Sequence, residues 1–153
     1  MSARRRLKFS NVDELAAEVR RLRPGYSQAG NWNLPQICWH LNKTVRFSMQ
    51  PGATSLPKSR VERAVQWLTG RIVLTTGRVP TGISAPQRIV PPAEASEESI
   101  DEFLASLSEL MAYSGEFGIH PRFGRLSRDQ YMRVHFIHSA HHLGFLTPTN
   151  GQV

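Results

Sequence analysis

The sequence predicts an all-α fold, four principal helices packed as a bundle, with an irregular insertion containing a short helix between the second and the third. Three observations predict it. Apolar residues recur at helical spacing in four separate stretches, as they do on helices with one buried face. Asn33 with Gln36, Ser59 with Glu62 and Ser127 with Gln130 have the spacing of capping boxes, which satisfy the free N–H groups of a first turn. Residues 51 to 95 hold Pro51, Pro57, Pro80, Pro86, Pro91 and Pro92, which stop long elements.

The first helix is expected over residues 12–23, with Val12, Leu15, Ala16, Val19 and Leu22 on one face, Ser10 or Asn11 as cap and Pro24-Gly25 as terminator. The second begins near Leu34, where Asn33 caps and Pro35 sits harmlessly in the first turn, and reaches about Met49. Within the insertion, Val61, Ala64, Val65 and Leu68 follow the Ser59 cap and predict a short helix ending before Gly70. The run Ile72-Val73-Leu74 fits a strand or a helix continuation equally, since periodicity cannot decide over three residues. The third principal helix has Ser96 as cap, Glu97 and Glu98 at its positive end, and a seam of Ile100, Phe103, Leu104, Leu107, Leu110 and Met111 before Gly115. The fourth starts at Ser127 and runs to about Leu143 or beyond, until Pro148.

At 153 residues the chain fits one domain over 1–153, long enough to bury about two-thirds of its unfolded surface. No apolar run approaches the roughly 20 residues of a membrane-spanning helix, so no membrane is expected as partner. Met1-Ser2-Ala3-Arg4-Arg5-Arg6 is basic, but Leu7-Lys8-Phe9-Ser10-Asn11 lacks the apolar core of a signal peptide. With a single cysteine, Cys38, no intramolecular disulfide can form, and both features predict a cytoplasmic protein. The net charge of +7 raises the question of an anionic partner, but apart from Arg4 to Arg6 the arginines are scattered along the chain. A solvated basic surface is expected rather than a nucleic-acid face. A homodimer is left open.

Five of the six histidines lie in the last third of the chain, four of them between Val134 and His142. On a helix, residues four apart have Cβ atoms about 5–6 Å apart, so His138 and His142 can converge on one ion about 2.0–2.1 Å from each nitrogen. His141, three after His138, competes for that role, but His142 lies closer to the stripe of Tyr131, Val134, His138 and Phe145. His40 is the third candidate, because it shares an inward face of the second helix with Ile37, Thr44 and Phe47. A lone inward histidine can equally donate to a backbone carbonyl. His135 is a support for the ligands or a solvent-facing residue, and His120, before Pro121, shapes a turn or lines a pocket mouth. Cys38 is rotated roughly 200° from His40 and reads as a small buried hydrophobe. Trp32, Trp39 and Trp67 read as core, interface or pocket material.

The segment Gly30-Asn31-Trp32-Asn33-Leu34-Pro35-Gln36-Ile37-Cys38-Trp39-His40-Leu41, with His120-Pro121-Arg122-Phe123-Gly124 and His138-Ser139-Ala140-His141-His142-Leu143-Gly144-Phe145-Leu146, resembles a poorly characterised branch of the DinB-like (YfiT-like) superfamily. The resemblance extends over nearly the whole chain, including Arg5-Arg6-Leu7-Lys8-Phe9. It implies a four-helix bundle binding a divalent ion, zinc or nickel, through one histidine of the second helix and an i, i+4 pair of the fourth, which map to His40, His138 and His142. It also implies thiol chemistry, since the superfamily includes bacillithiol S-transferases and mycothiol-dependent maleylpyruvate isomerases that activate a low-molecular-weight thiol. Phe145 departs from many relatives, which carry glutamine after the paired histidines, so a shared mechanism does not follow.

Three neutral imidazoles leave a divalent ion its full charge and an open position, the arrangement of catalytic rather than closed structural sites. Joined to what the resemblance implies about thiols, this gives as the expected function a metal-binding protein acting as a metal-dependent thiol S-transferase on a small molecule. Two alternatives stand beside it: a metal-dependent hydrolase with water in place of the thiol, and a non-catalytic bundle that binds a ligand, protein or nucleic acid.

Overall fold

The computed structural model describes residues 4–52, 59–80 and 85–149; Met1, Ser2, Ala3 and Pro57 lie outside the described residues. The protein is mostly helical. Helix α1, Val12–Leu22, starts where the Asn11 side chain accepts from the Glu14 N–H at 2.9 Å. Its Asp13 and Glu14 meet the positive end of the helix dipole, and Arg20 and Arg21 the negative end. Helix α2, Leu34–Ser48, opens with both halves of the Asn33–Gln36 capping box at 2.9 Å.

Helix α4, Glu98–Ala112, is present where the apolar seam requires it, but Ser96 is not its cap. Glu97 stands at the cap in a helical conformation, and Ser96 contributes only its backbone carbonyl, which accepts from the Ser99 N–H at 2.9 Å. Ile100, Phe103, Leu107 and Leu110 are buried, whereas Met111, at the edge of the stripe in the last turn, is 56% exposed. Helix α5, Arg128–Leu143, begins with the Ser127–Gln130 capping box.

Helix α2 packs most extensively against α4 and also against α5, while α1 lies against α4 and α5. The shared core joins Leu15 and Leu22 of α1, Ile37 and Leu41 of α2, Phe103 of α4 and Leu143 of α5. Each such side chain contributes about 1.5–3 kcal/mol when withdrawn from water.

Two elements differ from expectation. Helix α3 is not short: it spans Arg60–Thr76, absorbs Ile72-Val73-Leu74 and passes through Gly70. A Cβ at Gly70 would lie 3.1 Å from the Cβ of Phe123, so this glycine permits close approach rather than ending the helix. The end falls at Gly77, whose φ of 65° is the left-handed conformation that glycine adopts without steric cost.

The chain after α5 does not continue as helix to Pro148. Strand β2, Leu146–Pro148, pairs antiparallel with β1, Tyr26–Gln28, so that Gln28 faces Leu146 and Tyr26 faces Pro148. Arg5 fastens this corner: its N–H donates to the Gly144 carbonyl, its Nε to the Leu146 carbonyl at 2.6 Å, and its guanidinium pairs with the buried Glu18 at 2.5 Å. Among the described residues no helix is long and apolar enough to cross a membrane.

Candidate metal centre

The capping box and Pro35 start α2 at Leu34, and this register turns His40 inward together with Ile37 and Leu41. Buried at 2% exposure, the imidazole needs partners. Its Nδ1 lies 2.7 Å from the Ile89 carbonyl, which can only accept, so Nδ1 carries the proton and Nε2 presents a lone pair. Ile89 ends a single 3₁₀ turn, Gln87–Ile89, inside the proline-rich insertion.

Helix α5 brings two more imidazoles to that lone pair. His138 Nε2 lies 3.1 Å from His40 Nε2 and 3.0 Å from His142 Nε2. One ligand nitrogen from each of the three residues falls within 4.8 Å of the others. Ligands about 2.1 Å from one ion and about 90–110° apart have nitrogens roughly 3.0–3.4 Å from each other, so the spacing fits a shared divalent ion.

Electrostatics favours the same reading. Burial, then the neighbouring His142 and His40, holds the His138 pKa well below its ordinary value. Burial and His40 lower that of His142 to about 2, and burial lowers that of His40 against the opposing pull of Ile89. All three rings are thus neutral near pH 7. A proton on His138 Nε2 can bridge to one neighbour but not to both, whereas a divalent cation satisfies all three nitrogens at once.

The three histidines picked out in the sequence are therefore brought together, and His141 is not among them. Its Nδ1 accepts from the Arg4 guanidinium at 2.8 Å, and burial and Arg4 lower its pKa to about 4. Trp32 stacks on His142 with centroids 5.3 Å apart and 19° between planes, and lies 5.0 Å from His40. His135 is buried, not solvent-facing, with Nε2 3.0 Å from Ser48 Oγ; burial lowers its pKa to about 4. Cys38 packs in the core, where burial pushes its thiol pKa up, and so stands apart from the group as its helical rotation predicts. Trp67 is 60% exposed on α3 and is not core material.

The triad opens on a cavity of about 1090 Å³, somewhat above the usual range for small-molecule sites. Trp32, Phe47, Val73, Tyr131 and Phe145 supply apolar walls, and His120, His135 and Arg88 supply polar groups. The Phe145 ring lies against Gly30, where a Cβ would come within 3.1 Å, and beneath the Arg4 guanidinium. Sequence reasoning missed Ile89 and Ser48. A backbone carbonyl leaves no signal in residue identity, and a serine near a helix end resembles any other.

Fold and site together define a mostly helical protein with a three-histidine group, able to hold a metal ion, at the wall of an apolar cavity. The chain belongs to the family described as "Protein of unknown function (DUF1569)", whose model matches residues 1–149. Comparisons with curated proteins and with solved structures give no significant match.

Proposed function

We propose that this chain is a metal-dependent enzyme of the DinB-like type, one domain over residues 1–153, that transfers a low-molecular-weight thiol to a small organic acceptor. In this reading α1, α2, α4 and α5 are the four helices of the bundle, and His40, His138 and His142 hold zinc or nickel. The observation that carries it is the convergence of three neutral Nε2 atoms, one fixed by the Ile89 carbonyl, at the wall of a cavity of substrate size.

When bound, a divalent ion on three neutral ligands supplies Lewis-acid chemistry, lowering the pKa of a thiol or water at its open position. The protein's own part is to hold the His40 imidazole in one tautomer, to exclude bulk water with Trp32 and Phe145, and to receive the acceptor against apolar walls. A specific observation favours transfer over hydrolysis. Activation of water calls for a general base; no Asp or Glu is among the described residues lining the cavity, and burial lowers the pKa of its His120 to about 3 and of His135 and His141 to about 4, which makes them weak bases.

Elemental analysis of protein purified without a histidine tag tests the first step, with about one equivalent of zinc or nickel expected. Incubation of the loaded protein with a thiol and electrophilic acceptors, beside a panel of esters, tests the second. Turnover of esters alone would replace transfer by hydrolysis.

A further inference from the structure

Across the same cavity wall lies a second polar group whose geometry the metal triad does not explain. His120 sits in a tight loop closed by reciprocal backbone hydrogen bonds with Gly124, both at 2.9 Å, and Gly124 has a φ of 74° that glycine accommodates freely. The His120 ring is held on several sides. It stacks on Phe123 with centroids 4.3 Å apart and 9° between planes, and lies 5.8 Å from the ring of Tyr131. Its Nδ1 accepts from two backbone N–H groups, of Arg122 at 3.1 Å and Phe123 at 3.2 Å.

A backbone N–H can only donate, so Nδ1 carries the lone pair and the neutral ring has its proton on Nε2. Among the described residues no hydrogen-bond partner meets that Nε2–H. A rigid imidazole with a spare donor at a cavity wall can take an acceptor atom of a ligand without reorganising. Burial lowers its pKa to about 3, so the ring stays neutral in ordinary buffers. The cavity also receives Arg88, whose guanidinium lies 4.6 Å from the centroid of Phe47 and has no carboxylate partner among the described residues. Both groups call for the same chemistry: oxygen that accepts.

We propose that His120 is a specificity-determining residue, its Nε2–H donating to the carboxylate or carbonyl oxygen of an otherwise apolar small-molecule substrate. The inference rests on reading this cavity as the substrate site of the metal protein. Arg88 at the rim selects against cationic ligands, and Trp32, Phe47 and Val73 receive the apolar body. The loop therefore has two roles in one ring, with Nδ1 shaping the turn and Nε2 addressing the ligand.

The test uses phenylacetate as probe, titrated calorimetrically into the full chain in zinc-loaded and metal-free forms, with phenethylamine as cationic control. In His120→Asn the shorter side chain keeps an acceptor for the two backbone N–H groups but cannot reach the Nε2 position, so folding is preserved while the donor is lost. Phenylacetate affinity is expected to fall about tenfold or more in His120→Asn and to recover substantially in His120→Gln, with zinc content and thermal midpoint of His120→Asn near wild type. Nitrogen NMR of wild type should show His120 protonated at Nε2 and bare at Nδ1. Unchanged phenylacetate affinity in His120→Asn, equal binding of phenethylamine, no binding of phenylacetate to wild type in either form, or a proton on Nδ1 would each overturn the proposal. Absence of zinc uptake would instead sink the metal reading, leaving the metal-free series and the NMR to report on His120.

Discussion

The Nδ1–H of His40 donates to the carbonyl oxygen of Ile89 across 2.7 Å, joining helix α2 to the proline-rich insertion. This bond fixes the tautomer that leaves Nε2 free toward His138 and His142. The insertion is thereby part of the centre rather than decoration on the fold. It supplies the support for one imidazole, while Arg88 beside Ile89 reaches the cavity rim.

Replacing His138 with Ala is expected to remove most bound metal, because its Nε2 is the one within about 3 Å of both other rings. His135→Ala should leave most of it, since that ring is engaged with Ser48 instead, and should cost roughly 1–3 kcal/mol of stability by leaving a cavity and taking from the buried Ser48 Oγ one of its two partners, the other being the Val45 carbonyl. Metal content by elemental analysis and unfolding by denaturant check the two effects. Equal metal loss from both changes would show that the ligand set is wrong.

Much of this was legible in the chain, for identifiable reasons. Helices α1, α2 and α5 begin at their caps because Asn11, Asn33 and Ser127 act within three residues of themselves. The paired His138 and His142 were readable because a helix fixes what lies four positions on. What escaped depends on contacts distant in sequence. Gly70 reads as a terminator until Phe123 is seen against it, and the three-residue strands Tyr26–Gln28 and Leu146–Pro148 are too short for any periodicity. Ile89 serves through its backbone.

Gly70→Val tests the packing of α3 onto the His120 loop. A Cβ there meets Phe123 at 3.1 Å, and the added branches overfill the contact, so the expected loss is about 1–3 kcal/mol despite relief of the glycine's helix penalty. Denaturant unfolding reads it. A Gly70→Val protein as stable as wild type would mean that Phe123 moves freely and that the loop is not seated on α3.

Metal-free protein should lose stability in mild acid. Burial lowers the His135 pKa to about 4 in the fold, whereas the unfolded chain has its ordinary value near 6.5. Between those values the unfolded state binds the proton and the folded state does not, so stability rises with pH. The contribution is full above about pH 6.5 and is lost as pH falls through about 4, by roughly 3 kcal/mol for this one group. His135→Gln should flatten the profile of unfolding free energy against pH over that window. An unchanged slope would show that His135 is open to water.

Metal release should follow acid by way of the fold. Each of His40, His138 and His142 must be neutral to offer its lone pair, so protons oppose the ion at all three. Inside the protein that competition is weak, because burial depresses all three pKa values and the neighbouring rings add to it at His138 and His142, taking His142 to about 2. Once the chain opens, each ring regains a pKa near 6.5 and takes up its proton. Loss of the ion is therefore coupled to unfolding, and more than one proton should enter per ion released. Metal occupancy, expected to be full at pH 7, should fall steeply between about pH 6.5 and about pH 4, and the thermal midpoint should fall with it. A chelator at pH 7 should lower the midpoint by itself, because an ion bound only to the folded state stabilises it by mass action. Occupancy and midpoint measured in parallel check both statements. A midpoint indifferent to the chelator, or occupancy that persists after acid unfolding, would rule out the three histidines as a stabilising metal centre.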